Sequence, residues 1–266
     1  MHGWLILDKP AGPSSAAMVA TAKRALGARK AGHAGTLDPA ATGLLAIAFG
    51  EATKTVGHLA DASKAYRFTV RWGAETTTDD AAGAVTATAA ARPDRAAIEA
   101  ALPALTGDIL QTPPAVSAVK VAGERAYALA RAGAPPALAP RPLRVERLAL
   151  LATPDRDTAD FELVCGKGGY VRAIARDLGM ALGCLGHVLT LRRTRSGPFD
   201  LEGALDLDAL ERVAGDPSLE ARLLPLEAAL AGLPALEAGP EAARAIAHGN
   251  PAPLPAPGLA EGAAAW

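Results

Sequence analysis

Residues 31–54 read AGHAGTLDPAATGLLAIAFGEATK, and the rest of the chain falls into order around them. Asp38 stands between Leu37 and Pro39, with Gly32, Gly35, Gly43 and Gly50 on either side. A proline fixes its own φ and pushes the preceding residue out of the helical region. Glycines permit turns, or the close approach of a ligand, that a side chain would block. The stretch therefore holds one acid stiffly ahead of an apolar run. Taken alone, LDP also fits a Gly/Pro turn carrying a solvated aspartate. The run LLAIAFG, 44–50, is short, apolar and closed by glycine, as a buried strand would be.

Outward from this loop, GWLILD, 3–8, reads as a buried strand running into the turn KPAGPSS. Ser14 or Ser15 can cap a helix over about residues 16–27, with Lys23 and Arg24 near its end, where cations suit the dipole. EATKTVGHLADA, 51–62, reads as a helix. KAYRFTVRWG, 64–73, alternates Tyr66, Phe68, Val70 and Trp72 with Lys and Arg, the pattern of a half-buried strand with a basic outer face. Residues 84–91 are expected to pair with it after an acidic turn. Further helices are expected over 93–105, 124–133 and 169–183, and strands over 117–123, on both sides of a turn at 154–159, and over 187–199. Strands and helices mix irregularly instead of alternating. The expected class is α+β, with a mixed, largely antiparallel central sheet flanked by helices and loops.

Composition narrows the partners. The 266 residues suit one large domain with a small appendage, and with 50% hydrophobic but 4% aromatic residues the core must be built from small aliphatics. No apolar run approaches the length of a membrane span, and the N-terminal residues read as a strand and not as a signal peptide. Cys165 and Cys184 lack the neighbours of a zinc site and suggest buried thiols in a reducing cytosol. The net charge of −1 conceals a segregation: residues 1–72 carry +5, 73–140 carry −2, 141–198 carry +4 and 199–266 carry −8. Two basic stretches can share one face suited to nucleic acid, or be ordinary solvated surface.

Six stretches in order resemble the bacterial tRNA pseudouridine synthases of the TruB family: GWLILDKPAGPSS, GHAGTLDPAATGLL with FGEATK, KAYRFTVRWG, PPAVSAVKVAGERAYALAR, CGKGGYVRAIARDLG and HVLTLRRTRSGPF. The resemblance covers roughly residues 3–200. It implies a pseudouridine synthase catalytic domain over 1–232, with a family insertion at about 74–145. It also implies isomerisation of a uridine in the T-loop of tRNA, at position 55, after that base is flipped out. Asp38 stands at the catalytic aspartate, Tyr66 at the tyrosine that packs on the base, and Arg172 at the arginine paired with the carboxylate. Leu191 stands at an apolar pocket residue and His33 at a histidine that fills space left in the RNA loop. Lys9 and Pro10 stand at residues supporting the catalytic loop, and Lys9, Lys64 and Arg67 are counted with the substrate-binding residues. Whether the aspartate adds covalently or removes a sugar proton is left open.

The reaction breaks a C–N bond and forms a C–C bond on the same sugar. It calls for no cofactor and no metal, in keeping with a sequence that has neither a Walker loop nor a dinucleotide fingerprint. An ionised Asp38 in a pocket would suffer from burial, and a cation at contact distance would offset that. Candidate phosphate contacts are Lys23, Arg24, Arg29, Lys30, Lys64, Arg67, Arg141, Arg144, Arg192, Arg193 and Arg195. The partner implied is the tRNA T-stem-loop, met by a monomer in the cytoplasm with no membrane and no small-molecule cofactor. Two positions depart from the family pattern: Gly166 and Gly169 stand beside Arg172 where many members carry serine and threonine. Residues 233–257 resemble the opening of a PUA-type RNA-binding domain, so 233–266 is expected to be the start of a truncated one, and a short extension is expected ahead of Met1. An RNA-folding protein with secondary catalysis, and a pseudouridine synthase for another RNA, are the alternative readings.

Overall fold

The computed structural model describes residues 1–121, 123–255 and 265. β1 (Gly3–Lys9) leads into α1 (Ser15–Ala25), which Ser14 caps by accepting the Ala17 N–H at 3.1 Å. A short β2 (Ala31–His33) precedes the Asp38 loop, and β3 (Thr42–Phe49) follows it. A 3₁₀ turn over Gly50–Lys54 and α2 (Val56–Asp61) take the place of the single helix expected over 51–62. Then come β4 (Lys64–Trp72), β5 (Ala74–Thr76), β6 (Val85–Thr88), α3 (Arg95–Ala101) and β7 (Gly107–Gln111). Next are β8 (Lys120–Val121), β9 (Glu124–Arg125) and α4 (Ala126–Arg131). Long β10 (Arg141–Asp155) and β11 (Thr158–Cys165) lead to α5 (Val171–Ala181) and β12 (Gly186–Ser196). The acidic remainder forms α6 (Leu207–Arg212), α7 (Pro217–Glu220) and α8 (Pro240–Ala247). Of the segment 233–266 expected to open a PUA-type domain, residues 256–264 and 266 lie outside the described residues.

Among the described residues, eight strands form one sheet in the order β1-β3-β12-β4-β11-β10-β7, with β2 paired to the end of β3. The β12–β3 pair is parallel and the others are antiparallel. The fold is thus the α+β arrangement with a mixed, largely antiparallel sheet.

Pattern and burial agree for physical reasons. Leu44 to Phe49 are all 0% exposed because β3 is covered on both faces, by α1 and α6 on one side and by Phe199 and Leu59 on the other. Such a strand reads as a continuous apolar run. β4 is covered on one face only, where Phe68, Val70 and Trp72 pack with Phe161 and with Ile174 and Leu178 of α5, so it alternates.

One expected pairing fails. Residues 84–91 do not pair with β4, whose edges are both occupied by β11 and β12. β6 pairs instead with β5 in a separate ribbon. The strand β7 borders the sheet against β10; its sequence GDILQ carries no apolar alternation, because the apolar Leu110 is one of its two exposed residues.

Candidate active site

The loop bearing Asp38 is gripped through its backbone. Ser15 accepts the Leu37 N–H at 2.8 Å and donates its hydroxyl to the Leu37 carbonyl at 2.9 Å. Lys9, 0% exposed, donates its ammonium to the carbonyls of Pro10, Pro39 and Ala41. The Gly12 N–H donates to the Pro39 carbonyl, and the Ala41 N–H closes a turn onto the Asp38 carbonyl. These bonds leave the carboxylate itself uncommitted to the loop. The Asp38 side chain is 42% exposed.

Arg172, the second residue of α5, supplies the partner. Its Nε lies 3.0 Å from the Asp38 carboxylate and 3.7 Å from that of Asp80. Its Nη1 donates to the Thr78 carbonyl at 2.8 Å and its Nη2 to the Val116 carbonyl at 3.0 Å. The expectation of a buried carboxylate is reversed: the guanidinium is the buried member, with 7% of its side chain exposed. One turn further along α5, Arg176 donates to the Asp79 carboxylate at 3.1 Å and to the Thr112 carbonyl at 2.8 Å. Asp79 sits at φ 59, a costly conformation for a non-glycine residue. Burial pushes its carboxyl up from the usual range, against the pull of Arg176 and Arg172. The sequence carries no signal for Asp79 and Asp80, because an acidic pair before Ala-Ala-Gly reads as an ordinary turn.

A cavity of about 270 Å³ opens beside the ion pair. Asp38, Arg172, Tyr66 from β4 and Leu191 from β12 line it, as do Lys64 and Arg193. Burial holds the Tyr66 phenol above its usual pKa, with the opposing pull of Arg193 the next largest influence. The ring is therefore a neutral, flat wall at working pH.

Four of the basic residues behave differently from the sequence reading. Lys64 does not face outward with Arg67; it is 7% exposed and donates to the carbonyls of Leu59, Ala60 and Ala62 at the end of α2. Burial, with repulsion from Arg193, pulls its pKa to about 8. Its position two residues before Tyr66 carried the signal, since residues i and i+2 share a face of a strand. Lys9 touches the loop and not the cavity, so it supports the loop and is not a substrate contact. Burial draws its pKa down from the lysine value, partly offset by Asp38. Arg67 leaves β4 on the face opposite Tyr66, away from the cavity. Arg193 is 1% exposed and cannot reach a phosphate outside. Arg192 and Arg144 are engaged by Asp8 and Asp108, whereas Lys23, Arg24, Arg29 and Lys30 stand exposed.

His33, half-buried on β2, lies outside the cavity lining. Its Nδ1 is shielded and has no partner among the described residues. Burial and the nearby Arg193 lower its pKa, so the ring is neutral.

The two glycines beside Arg172 do not weaken its anchorage, because every contact given above comes from other residues. Gly169 answers instead to packing: a Cβ there would stand 2.5 Å from the Cys165 Sγ and 3.2 Å from Leu143. A Gly169→Ser variant is expected to lose about 1–3 kcal/mol of stability by overpacking. Cys165→Ala in the same chain is expected to recover at least about 1 kcal/mol of that loss, because the two sites share one space. Denaturant melts of the single and double variants check this, and strict additivity would count against it.

Comparison with known proteins adds the family context. The profile of the TruB family pseudouridylate synthase N-terminal domain matches residues 23–171, and that of the tRNA pseudouridylate synthase B C-terminal domain matches residues 172–231. The chain is 58% identical over 266 residues to the tRNA pseudouridine synthase B of Dinoroseobacter shibae, which covers 100% of this chain and 88% of that protein. It is 61% identical over 251 residues to the tRNA pseudouridine synthase B of Paracoccus denitrificans, covering 94% of this chain and 84% of that one. Its fold is similar to that of a chain in a solved Cbf5-Nop10-Gar1 complex, with a TM-score of 0.73 and 29% identity, covering 93% of this chain and 67% of that chain.

Proposed function

Since the chain belongs to the TruB family of pseudouridylate synthases, we propose that it converts uridine to pseudouridine in the T-loop of tRNA, with Asp38 as the reacting carboxylate. The observation that carries this reading is the solvent-open Asp38 carboxylate, fixed 3.0 Å from a buried Arg172 at a cavity that Tyr66 and Leu191 also line. A uridine in folded RNA is stacked and must be extruded to reach such a cavity. The neutral Tyr66 ring and the Leu191 side chain offer the base an apolar wall, and Arg172 holds the carboxylate charge in place. His33, neutral and outside the cavity, suits filling the vacated place in the RNA loop.

The chemistry is an isomerisation. The N1–C1′ bond breaks, the uracil turns, C5 bonds to C1′, and the proton on C5 passes to solvent while N1 regains one. Atoms and electrons balance without a co-reactant. RNA affinity rests on exposed cations such as Lys23, Arg24, Arg29 and Lys30, which suit phosphate contacts. The protein works as a monomer in the cytoplasm, where Cys165 and Cys184, both unpaired, stay reduced. Among the described residues, no helix is long and apolar enough to cross a membrane.

The test uses an unmodified tRNA transcript carrying 5-tritiated uridine. Tritium release is expected from the parent transcript and not from one in which the T-loop uridine is replaced by cytidine. Equal release from both would place the target elsewhere in the RNA.

A further inference from the structure

The loop that carries Asp38 runs from Gly35 to the start of β3, and Arg193 holds the chain on both sides of it. The guanidinium Nη2 donates to the Gly35 carbonyl at 3.1 Å, and Nε donates to the Leu44 carbonyl at 2.8 Å. Gly43 pairs with Arg193 where β3 meets β12, at φ 96, and a Cβ there would collide with the Arg193 backbone carbonyl. Arg193 also stands opposite Tyr66 in the β4–β12 register, and its charge pulls on the Tyr66 phenol against the effect of burial. It is 1% exposed, and its acceptors are carbonyls, not a carboxylate.

A buried cation held by dipoles alone is costly to keep. Arg192 and Arg195 beside it are only partly buried. A surface-seeking role does not explain why this one is enclosed. Its planar fork can meet several acceptors at fixed angles, which an ammonium cannot. We propose that Arg193 is a positioning residue for the isomerisation: it sets the two ends of the Asp38 loop and the Tyr66 ring in one geometry. The proposal rests on the functional reading above. The Arg193 Nε and Nη2 are taken up by the carbonyls of Leu44 and Gly35. Arg193 acts through Asp38 and Tyr66.

Single-turnover tritium release from tRNA tests it in Arg193→Lys and Arg193→Gln, each compared with the parent by circular dichroism and melting. The rate constant is expected to fall about 100-fold, as misplacement by an ångström can cause. The RNA concentration giving half the maximal rate should stay within about threefold of the parent value, because Arg193 is shut away from phosphate. In a Tyr66→Phe background the Arg193→Lys change should cost less than in the parent, since part of its effect passes through the Tyr66 hydroxyl. A rate near the parent value in a folded variant would overturn the assignment. So would a defect confined to RNA affinity, or equal effects in the two backgrounds. Failure of both variants to fold would make Arg193 a folding residue and also overturn it. A parent protein without activity would instead overturn the functional reading.

Discussion

Asp38→Asn is expected to fold and to bind tRNA while losing at least about 10⁴-fold in turnover, the scale seen when a reacting group is removed outright. The substitution keeps the shape of the side chain and deletes its charge. The loop is held at Leu37, Pro39 and Ala41 by Ser15, Lys9 and Gly12, and none of those bonds uses the carboxylate. With 42% of that side chain open to solvent, its loss should change stability by no more than about 1 kcal/mol. Arg172 keeps Asp80 nearby as a counter-charge. The variant should thus separate catalysis from structure cleanly. Calorimetry, a tRNA filter-binding assay and tritium release check the three parts. Turnover above about one hundredth of the parent rate would remove Asp38 from the chemistry, and Asp38→Ala guards against deamidation restoring the acid.

Arg172→Lys is the second large effect. The guanidinium meets Asp38, Asp80 and the carbonyls of Thr78 and Val116 together. A lysine ammonium has one nitrogen and cannot span those positions. Breaking so buried an arrangement costs on the order of 3 kcal/mol. Turnover should fall about 10³-fold, as expected when the carboxylate is no longer held in its reacting position. The segments around residues 78 and 116 should also loosen, since each loses its bond to α5. Hydrogen exchange is expected to rise at those two segments and not in β1 or β3. Retention of more than a tenth of the activity, or unchanged exchange there, would contradict this account.

Much of this was legible in the chain. The alternation of Tyr66, Phe68, Val70 and Trp72 located β4 and its buried face. The unbroken run from Leu44 to Phe49 located a strand enclosed on both sides. Asp38, Tyr66, Arg172 and Leu191, which the family resemblance groups together, line one cavity. Charge does not mean exposure for every basic residue of this chain, since Lys9, Lys64 and Arg193 are buried. Lys64 shares its face with Tyr66, and Arg193 shares its face with Leu191, so in both cases spacing outranked charge. Asp80 was hidden for another reason. Its importance comes from α5, some ninety residues away, and no local pattern records such a contact. The mispairing of residues 84–91 has the same root: an edge strand's partner depends on which edges later strands have already taken.

The position of β12 carries a consequence for how the protein is made. It lies between β3 and β4, which are close in the chain yet share no hydrogen bonds. A nascent chain on the ribosome can form the β1–β3 pair early, but a gap remains beside it until residues 186–196 emerge. Closing a gap across so long a separation is slow, because the intervening chain must be ordered first. The Asp38 loop stands on one side of that gap and Tyr66 on the other. A partly synthesised or misfolded chain therefore holds the two apart, and competence to modify RNA arrives only with the strand that completes the sheet.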